Sequence, residues 1–293
     1  MTSDSKTVVV LPAYNAARTL EKTYADIPKE KVSKIILVDD VSQDQTVEVA
    51  RSLGLKTVIH VQNRGYGGNQ KTCYLEALKE GAQVVVMLHP DHQYDSRLVP
   101  DLVQPILEGR ADMVMGSRIL NGQALSGGMP RWKYVANRFL TTVENFVFGT
   151  RLTDCHSGFR AFSRKLLTTV PFLLNSDDFV FDSQMIAQAA YMKFRIAEIP
   201  VQARYFPEAS SVNFRVSTIY GLKTLWLVLK FSLQSLRLAR FGIFDKTLPE
   251  IVSKYYHEAI FSGAGGRGSG AREQVPVAEP GGHGPERAGG LTS

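Results

Sequence analysis

The stretch Val84-Val85-Val86-Met87-Leu88-His89-Pro90-Asp91-His92-Gln93-Tyr94-Asp95 decides how the chain is read. Its five apolar residues run without interruption, as a strand buried on both faces requires, then break into a turn of carboxylates, imidazoles and an amide. In open parallel α/β sheets, ligands bind outside the carboxyl ends of the strands, where the departing loops surround a crevice. Asp91 is therefore expected at the centre of a site, and the loops leaving neighbouring strands become its walls.

Upstream, residues 7–11 are a β-branched run stopped by Pro12, which predicts a strand followed by the loop Pro12-Ala13-Tyr14-Asn15. A helix is predicted at 18–27, ended by Pro28, and a strand at 34–38 that delivers Asp39 and Asp40 to its end. A helix at 46–53, a strand at 57–61, a glycine-rich loop at 63–69 and a helix at 70–80 complete the approach to Val84. Strands alternating with helices through right-handed crossovers predict an α/β domain with a mostly parallel central sheet.

Downstream, a helix is predicted at 98–107 and a short strand at 113–115 that leads into Gly116-Ser117-Arg118. Residues 122–130 are glycine-rich and read as a lid. A helix at 132–148, a polar loop at 153–160, a helix at 179–192 beginning among acids and a last strand at 196–205 follow. Residues 217–244 read as one long apolar helix on which Lys223, Lys230 and Arg237 recur every seven residues. Cations in mid-span cost roughly 2.5–3.5 kcal/mol each at a bilayer centre, which argues against a spanning helix. Two readings stay open, a helix lying in the membrane interface and a core-packing helix with a solvated stripe. The expected organisation is a catalytic domain at 1–210, an amphipathic helical segment at 211–261 and a disordered tail at 262–293, rich in Gly, Pro, Arg and Glu.

The chain has 293 residues, 44% hydrophobic and 21% charged, enough for one full core. A net charge of +6 points to an anionic partner such as a nucleotide, a lipid phosphate or a membrane surface. No nucleic-acid-binding motif accompanies that charge, so nucleic acid is not an expected partner. Cys73 and Cys155 stand in unrelated contexts and imply neither a disulfide scaffold nor a zinc site. The start, Met-Thr-Ser-Asp-Ser-Lys, runs into the first strand without a signal-peptide apolar core, so the expected location is cytoplasmic, peripheral on the inner membrane face.

Six motifs in order carry a resemblance: Val10-Leu11-Pro12-Ala13-Tyr14-Asn15, Val38-Asp39-Asp40-Val41-Ser42, the loop 63–69, His89-Pro90-Asp91, Gly116-Ser117-Arg118 and Ser157-Gly158-Phe159-Arg160. Together they resemble a family-2 glycosyltransferase, nearest to the dolichyl-phosphate mannosyltransferase and polyprenyl-phosphate branch. The resemblance implies a GT-A-like fold and inverting transfer of a sugar from a UDP- or GDP-sugar to a polyprenyl phosphate. Transfer to a saccharide hydroxyl in envelope polysaccharide synthesis and non-catalytic nucleotide-sugar binding are the alternatives.

The resemblance places Pro12, Tyr14, Asn15, Asp39 and Asp40 against the donor. Arg64, Gly65 and Pro90 join them, with the glycines expected to let the backbone approach the donor closely. Gly65-Tyr66-Gly67-Gly68 is not a dinucleotide fingerprint, because here the acids precede the glycines and the loop follows a third strand.

Asp91 is the expected catalytic carboxylate, holding a divalent cation against the diphosphate. The family pattern Asp-x-Asp here reads His89-Pro90-Asp91 with Gln93 two residues on, so the candidate ligands are His89, Asp91 and Gln93. Oxygen ligands suit Mg2+, and an imidazole beside a carboxylate suits Mn2+. Arg118, Arg131 and Arg160 are expected to hold the acceptor phosphate, since the guanidinium fork binds phosphate at two points. A phosphate monoester is already anionic at pH 7 and needs no strong base. A hydroxyl acceptor would need one, and Asp154 or Asp182 are the candidates, with Asp154 the better placed. Val41 stands where the family commonly has glycine, and Arg204 to Ser211 lacks the Gly and Lys of the family's Arg-x-x-Gly-x-Ser-Lys pattern.

Overall fold

Side chains of successive strand residues go to opposite faces of a sheet, and in β1 (Thr7–Ala13) both faces are buried. Val8 and Val10 join one apolar cluster, whereas Val9 and Leu11 join another. This explains the unbroken Val-Val-Val-Leu run. The computed structural model describes residues 6–122, 124–204 and 214–261. The predicted tail, and the Arg204 to Ser211 pattern beyond Arg204 itself, lie outside those residues.

The first half repeats strand and helix: β1, α1 (Ala17–Asp26), β2 (Lys34–Asp39), α2 (Thr46–Ser52), β3 (Lys56–Ile59), α3 (Gly65–Lys79) and β4 (Val84–Met87). The second half continues with α4 (Val99–Leu107), β5 (Met113–Ser117), α5 (Arg131–Phe148), β6 (Arg160–Ser163), α6 (Arg164–Thr169), α7 (Phe181–Tyr191) and β7 (Ile196–Pro200). Then come α8 (Phe214–Ser235) and the short helices α9 (Gly242–Asp245), α10 (Leu248–Ile251) and α11 (Lys254–Phe261).

The strands form one seven-stranded sheet in the order β3-β2-β1-β4-β6-β5-β7. Only β6 runs against its neighbours, pairing antiparallel with both β4 and β5. The sheet is mostly parallel, as expected, and its apolar clusters lie on either face. One reaches to α1, α2 and α4, and the other to α3, α5, α7 and the C-terminal helices.

Four expectations are corrected. The predicted loop 153–160 ends in Arg160, yet Arg160–Ser163 form β6, a strand not predicted and, at four residues, too short for its period to show. Glycines 65, 67 and 68 lie inside the first turns of α3 rather than in a loop before it. The last strand stops at Pro200, where proline can no longer donate to the ladder. The long helix ends at Ser235 and turns at Arg237, whose φ is +58°, so that α9 brings Phe244 back against Phe231.

Candidate functional site

Parallel pairing fixes where the loops emerge. Ala13 lies opposite Asp39 in the β1–β2 register, and Val10 opposite Met87 in β1–β4, so three strands end on one edge. Their loops are stitched together. The Asn15 amide donates to Ser42 Oγ at 2.8 Å and the Gln43 amide to Asn15 Oδ1 at 2.7 Å. The Ala16 amide reaches Thr46 Oγ1 at 2.8 Å and that of Ala17 reaches Asp44 Oδ2 at 3.0 Å. Pro12, Tyr14 and Asn15 line the resulting cavity, with Tyr14 56% exposed and free to present its ring.

The paired acids have different partners. Asp40 accepts from His60 Nδ1 at 2.7 Å and from the amides of Arg64 and Gly65 at 2.8 and 2.9 Å, so it fastens the start of α3 to the end of β2. Asp39 is buried, and its Oδ2 accepts from the Ser42 amide at 3.0 Å, whereas Oδ1 has no partner. A buried acceptor left unsatisfied costs about 1–3 kcal/mol, and Asp39, unlike Asp40, does not line the cavity. Val41 follows with φ of +66°, a left-handed conformation that a β-branched residue adopts only under strain.

The glycines of α3 serve a different contact from the one expected. A Cβ at Gly67 would lie 2.3 Å from the Ser176 carbonyl oxygen, and one at Gly65 would lie 2.7 Å from that of Asp177. The close approach is thus to residues 176–177, and the Gly67 amide donates to Asp177 O at 2.8 Å. Gly65 still lines the cavity, while Arg64 holds its side chain exposed outside it.

Beyond β4, His89, Pro90, Asp91 and Gln93 all line the same cavity. His89 Nε2 lies 3.1 Å from Tyr66 Oη, with the two rings stacked at 5.3 Å. Tyr66 in turn donates to Asp182 Oδ2 at 2.7 Å, and Gln70 donates to Asp182 Oδ1 at 3.1 Å. Asp91 Oδ1 accepts from the Gln93 amide at 3.1 Å, leaving the other oxygen unbonded among the described residues. His92 has turned toward Arg204, whose Nη1 lies 2.8 Å from its Nε2.

Among the described residues, no group of three or more His, Cys, Asp or Glu side chains could hold a metal ion. Asp91, with His89 and Gln93 beside it, fits a cation that takes its other ligands from a bound diphosphate, as magnesium sites in phosphoryl-transfer enzymes do.

The far wall is built around Arg118, which follows β5. Its Nε and Nη2 donate to the two oxygens of Asp154 at 2.7 and 2.9 Å, and Nη2 also reaches the His156 carbonyl at 3.0 Å. Asn137 of α5 donates to Asp154 Oδ1 at 2.7 Å. Burial alone would raise the Asp154 pKa, but the adjoining Arg118 guanidinium outweighs it and holds the carboxyl well below the usual range. Asp154, expected as a base, is therefore a fully buried anion that anchors Arg118 and does not line the cavity.

Arg160 also departs from expectation. It is fully buried and donates to the carbonyls of Ser157, Asp182 and Cys155, so it braces the loop and cannot meet an acceptor. Arg131 is exposed at the start of α5, next to the lining residues Trp132 and Lys133.

The cavity measures about 1210 Å³ and takes in both walls, with the 122–130 segment contributing Gly128, Met129 and Pro130 at its rim. Its acids stand at the ends of β2 and β4 and its guanidinium at the end of β5. The glycosyl transferase family 2 model matches residues 8–170, more than half of the chain and all six motifs. The chain belongs to that family. As a family-2 glycosyltransferase it takes its sugar from a nucleotide-sugar.

This family-2 chain is 27% identical over 220 residues to the UDP-N-acetylglucosamine–dolichyl-phosphate N-acetylglucosaminyltransferase of Methanococcus voltae, covering 69% of this chain and 87% of that one. It is 28% identical to the dolichyl-phosphate hexose transferase of Haloferax volcanii, covering 67% and 82%. Glucosyl-3-phosphoglycerate synthase from Mycobacterium tuberculosis shares the fold, with a TM-score of 0.61 at 21% identity over 78% of this chain and 80% of that one. The expected family and GT-A-like architecture both hold.

Two lining residues, Tyr66 and Asn137, and two buried polar residues that share a helix face with Asn137 do not stand out in the sequence. Tyr66 was hidden by its glycines. Asn137, Thr141 and Glu144 are buried on one face of α5 together with Leu140 and Phe148. Polar residues at that helical spacing on a core-facing stripe were the available signal.

Proposed function

We propose that the protein is an inverting glycosyltransferase that moves a hexose from a UDP- or GDP-sugar onto a polyprenyl phosphate at a membrane surface. One observation carries this reading: Asp91, with one carboxylate oxygen unbonded among the described residues, and Arg118 both line one cavity. Donor recognition falls to the Asp39 and Asp40 side, with Tyr14 beside the base. Asp91, with His89 and Gln93, would hold a Mn2+ or Mg2+ ion, and such an ion supplies positive charge where the departing diphosphate concentrates negative charge.

Arg118 would orient the acceptor phosphate, whose own anionic oxygen attacks the anomeric carbon in line as the nucleotide leaves. No general base is required on this route, which agrees with the pairing of Asp154. For a hydroxyl acceptor, Asp182 would be the base that faces the cavity, but both of its oxygens already accept hydrogen bonds. The phosphate acceptor is therefore preferred.

Membrane contact is supported by the outer faces of α5 and α8. Val135, Phe139 and Phe146 on α5 are 66, 59 and 89% exposed, and Leu222, Trp226 and Leu229 on α8 are 63, 53 and 46% exposed. The N-terminal halves of the same helices line the cavity through Trp132, Lys133, Ser217 and Tyr220. Among the described residues, no helix is long and apolar enough to cross a membrane. The opposite face of α8, with Leu227, Val228 and Phe231, packs on the core, so this helix carries apolar side chains on both sides.

The test supplies UDP- and GDP-sugars with and without a polyprenyl phosphate and Mn2+, and measures nucleoside diphosphate release. Release that requires the lipid supports the proposal, release with free saccharides supports a hydroxyl acceptor, and donor binding without turnover supports a binding protein.

A further inference from the structure

A neutral imidazole donates from one ring nitrogen and offers a lone pair at the other. Which nitrogen does which at His89 is decided by the groups behind it. Arg160 is fully buried, and its Nη1 lies 3.6 Å from Asp182 Oδ1. Buried charges are paired, so Asp182 is the carboxylate that balances this guanidinium, and a carboxylate only accepts. The bonds around it agree. Tyr74 donates to Gln70 Oε1 at 2.7 Å, which turns Gln70 Nε2 toward Asp182 Oδ1 at 3.1 Å, and Tyr66 Oη lies 2.7 Å from Asp182 Oδ2.

The single proton of the Tyr66 hydroxyl therefore goes to Asp182, since without it two sets of oxygen lone pairs would face each other at hydrogen-bond distance. Tyr66 Oη then has only lone pairs left for His89 Nε2, 3.1 Å away, so Nε2 carries the proton and donates. Nδ1, across the ring, keeps its lone pair and makes no hydrogen bond among the described residues.

The ring is also clamped. It stacks on Tyr66 with centroids 5.3 Å apart and 23° between the planes, and Tyr66 packs in turn on Phe179 at 4.6 Å. Its Nε2–Cδ2 edge lies against Gly158, where a Cβ would stand 2.8 Å from Cδ2 and 3.0 Å from Nε2. A side chain at position 158 would push the imidazole off this wall, which gives the glycine of Ser157-Gly158-Phe159-Arg160 its reason. His89 lines the cavity together with Asp91.

We propose that Tyr66 and Asp182 are positioning residues of the cation site, locking His89 in the tautomer that presents its Nδ1 lone pair as a nitrogen ligand for the divalent ion. Metal-binding histidines characteristically donate their second N–H to an acceptor that fixes the tautomer and raises the basicity of the ligating nitrogen. Here a phenol stands between imidazole and carboxylate and couples the two. The replacement of the family's first acid by His89 is thus accompanied by the partners an imidazole ligand needs, and an imidazole beside a carboxylate favours Mn2+.

The inference rests on the reading of Asp91 as the carboxylate that holds the cation, but its first test needs neither metal nor substrate. The 15N shifts of histidine-labelled wild type are read at about pH 8, with His89 assigned by its loss in His89→Ala. A proton on Nε2 alone is expected. A proton on Nδ1, with or without one on Nε2, overturns the proposal.

The second test follows Mn2+ binding through the EPR signal of the free ion, with UDP or GDP at saturation. Tyr66→Phe keeps the ring against His89 and Phe179 and removes only the hydroxyl. It should weaken Mn2+ binding about 10- to 100-fold, and in a His89→Ala background it should weaken it no further. Unchanged Mn2+ affinity in Tyr66→Phe, a loss that persists in the His89→Ala background, or a Tyr66→Phe protein that does not fold overturns the positioning role. A wild type that binds no Mn2+ overturns this role and the cation reading of Asp91 together.

Discussion

In the proposed reaction, Asp91 and Arg118 are single side chains that serve opposite halves of the transfer. Asp91→Asn is expected to lower nucleoside diphosphate release about 10²- to 10³-fold with the fold intact, since it removes negative charge from a half-buried turn at near-equal size. Arg118→Lys replaces a fork with a point charge, and acceptor KM should rise about tenfold while donor KM holds. Arg160→Ala should behave differently from both. Its guanidinium holds three carbonyls at full burial, so its loss should cost roughly 3–5 kcal/mol and be read as a lower melting temperature rather than a changed KM.

Val41 gives a test of opposite sign. Its positive φ stores about 1–2 kcal/mol that glycine would not pay, so Val41→Gly should raise stability by about 1 kcal/mol or less once the added freedom of the unfolded chain is subtracted. Residue identity alone pointed to Asp91 and Arg118 because both follow recognisable strand ends. It misjudged Arg160 because a buried and an exposed arginine look the same in a sequence. Burial depends on β6, whose four residues carry no readable period.

At the scale of elements, the parallel strands were legible because burial on both faces leaves unbroken apolar runs in β1, β2 and β4. The antiparallel β6 and the true extent of α8 were not, since they follow from what packs beside them. Phe231 of α8 sits between Phe148 and Phe244, a contact between residues far apart in the chain. The solvated stripe considered for α8 is only partly present. Lys223 pairs with Asp178, but Leu222, Trp226 and Leu229 face outward. Replacing those three with serine should weaken co-sedimentation with vesicles of anionic lipid and leave melting temperature nearly unchanged, because the side chains removed are not in the core.

For the whole molecule, the buried titratable groups set a pH window. Glu144, raised above its unfolded value of 4.5 to about 8, contributes stability that is complete at low pH and is lost as pH rises toward 8. His156, lowered from 6.5 to about 4, contributes stability present above 6.5 and lost as pH falls toward 4. The salt-bridged Asp154 adds to the acid-side loss, so stability should be greatest in the mildly acidic range and already be falling at neutral pH. Thermal melts across pH 3 to 9 check this shape.

The overall charge of +6 matches a site whose expected ligands, a nucleoside diphosphate and a lipid phosphate, are both anionic. The most direct measurement is nucleoside diphosphate release from UDP- and GDP-sugars by wild type and Asp91→Asn, each with and without polyprenyl phosphate in Mn2+. Release by wild type that depends on the lipid and collapses in Asp91→Asn is the predicted result. Release that ignores the lipid, or that survives intact in Asp91→Asn, would contradict it.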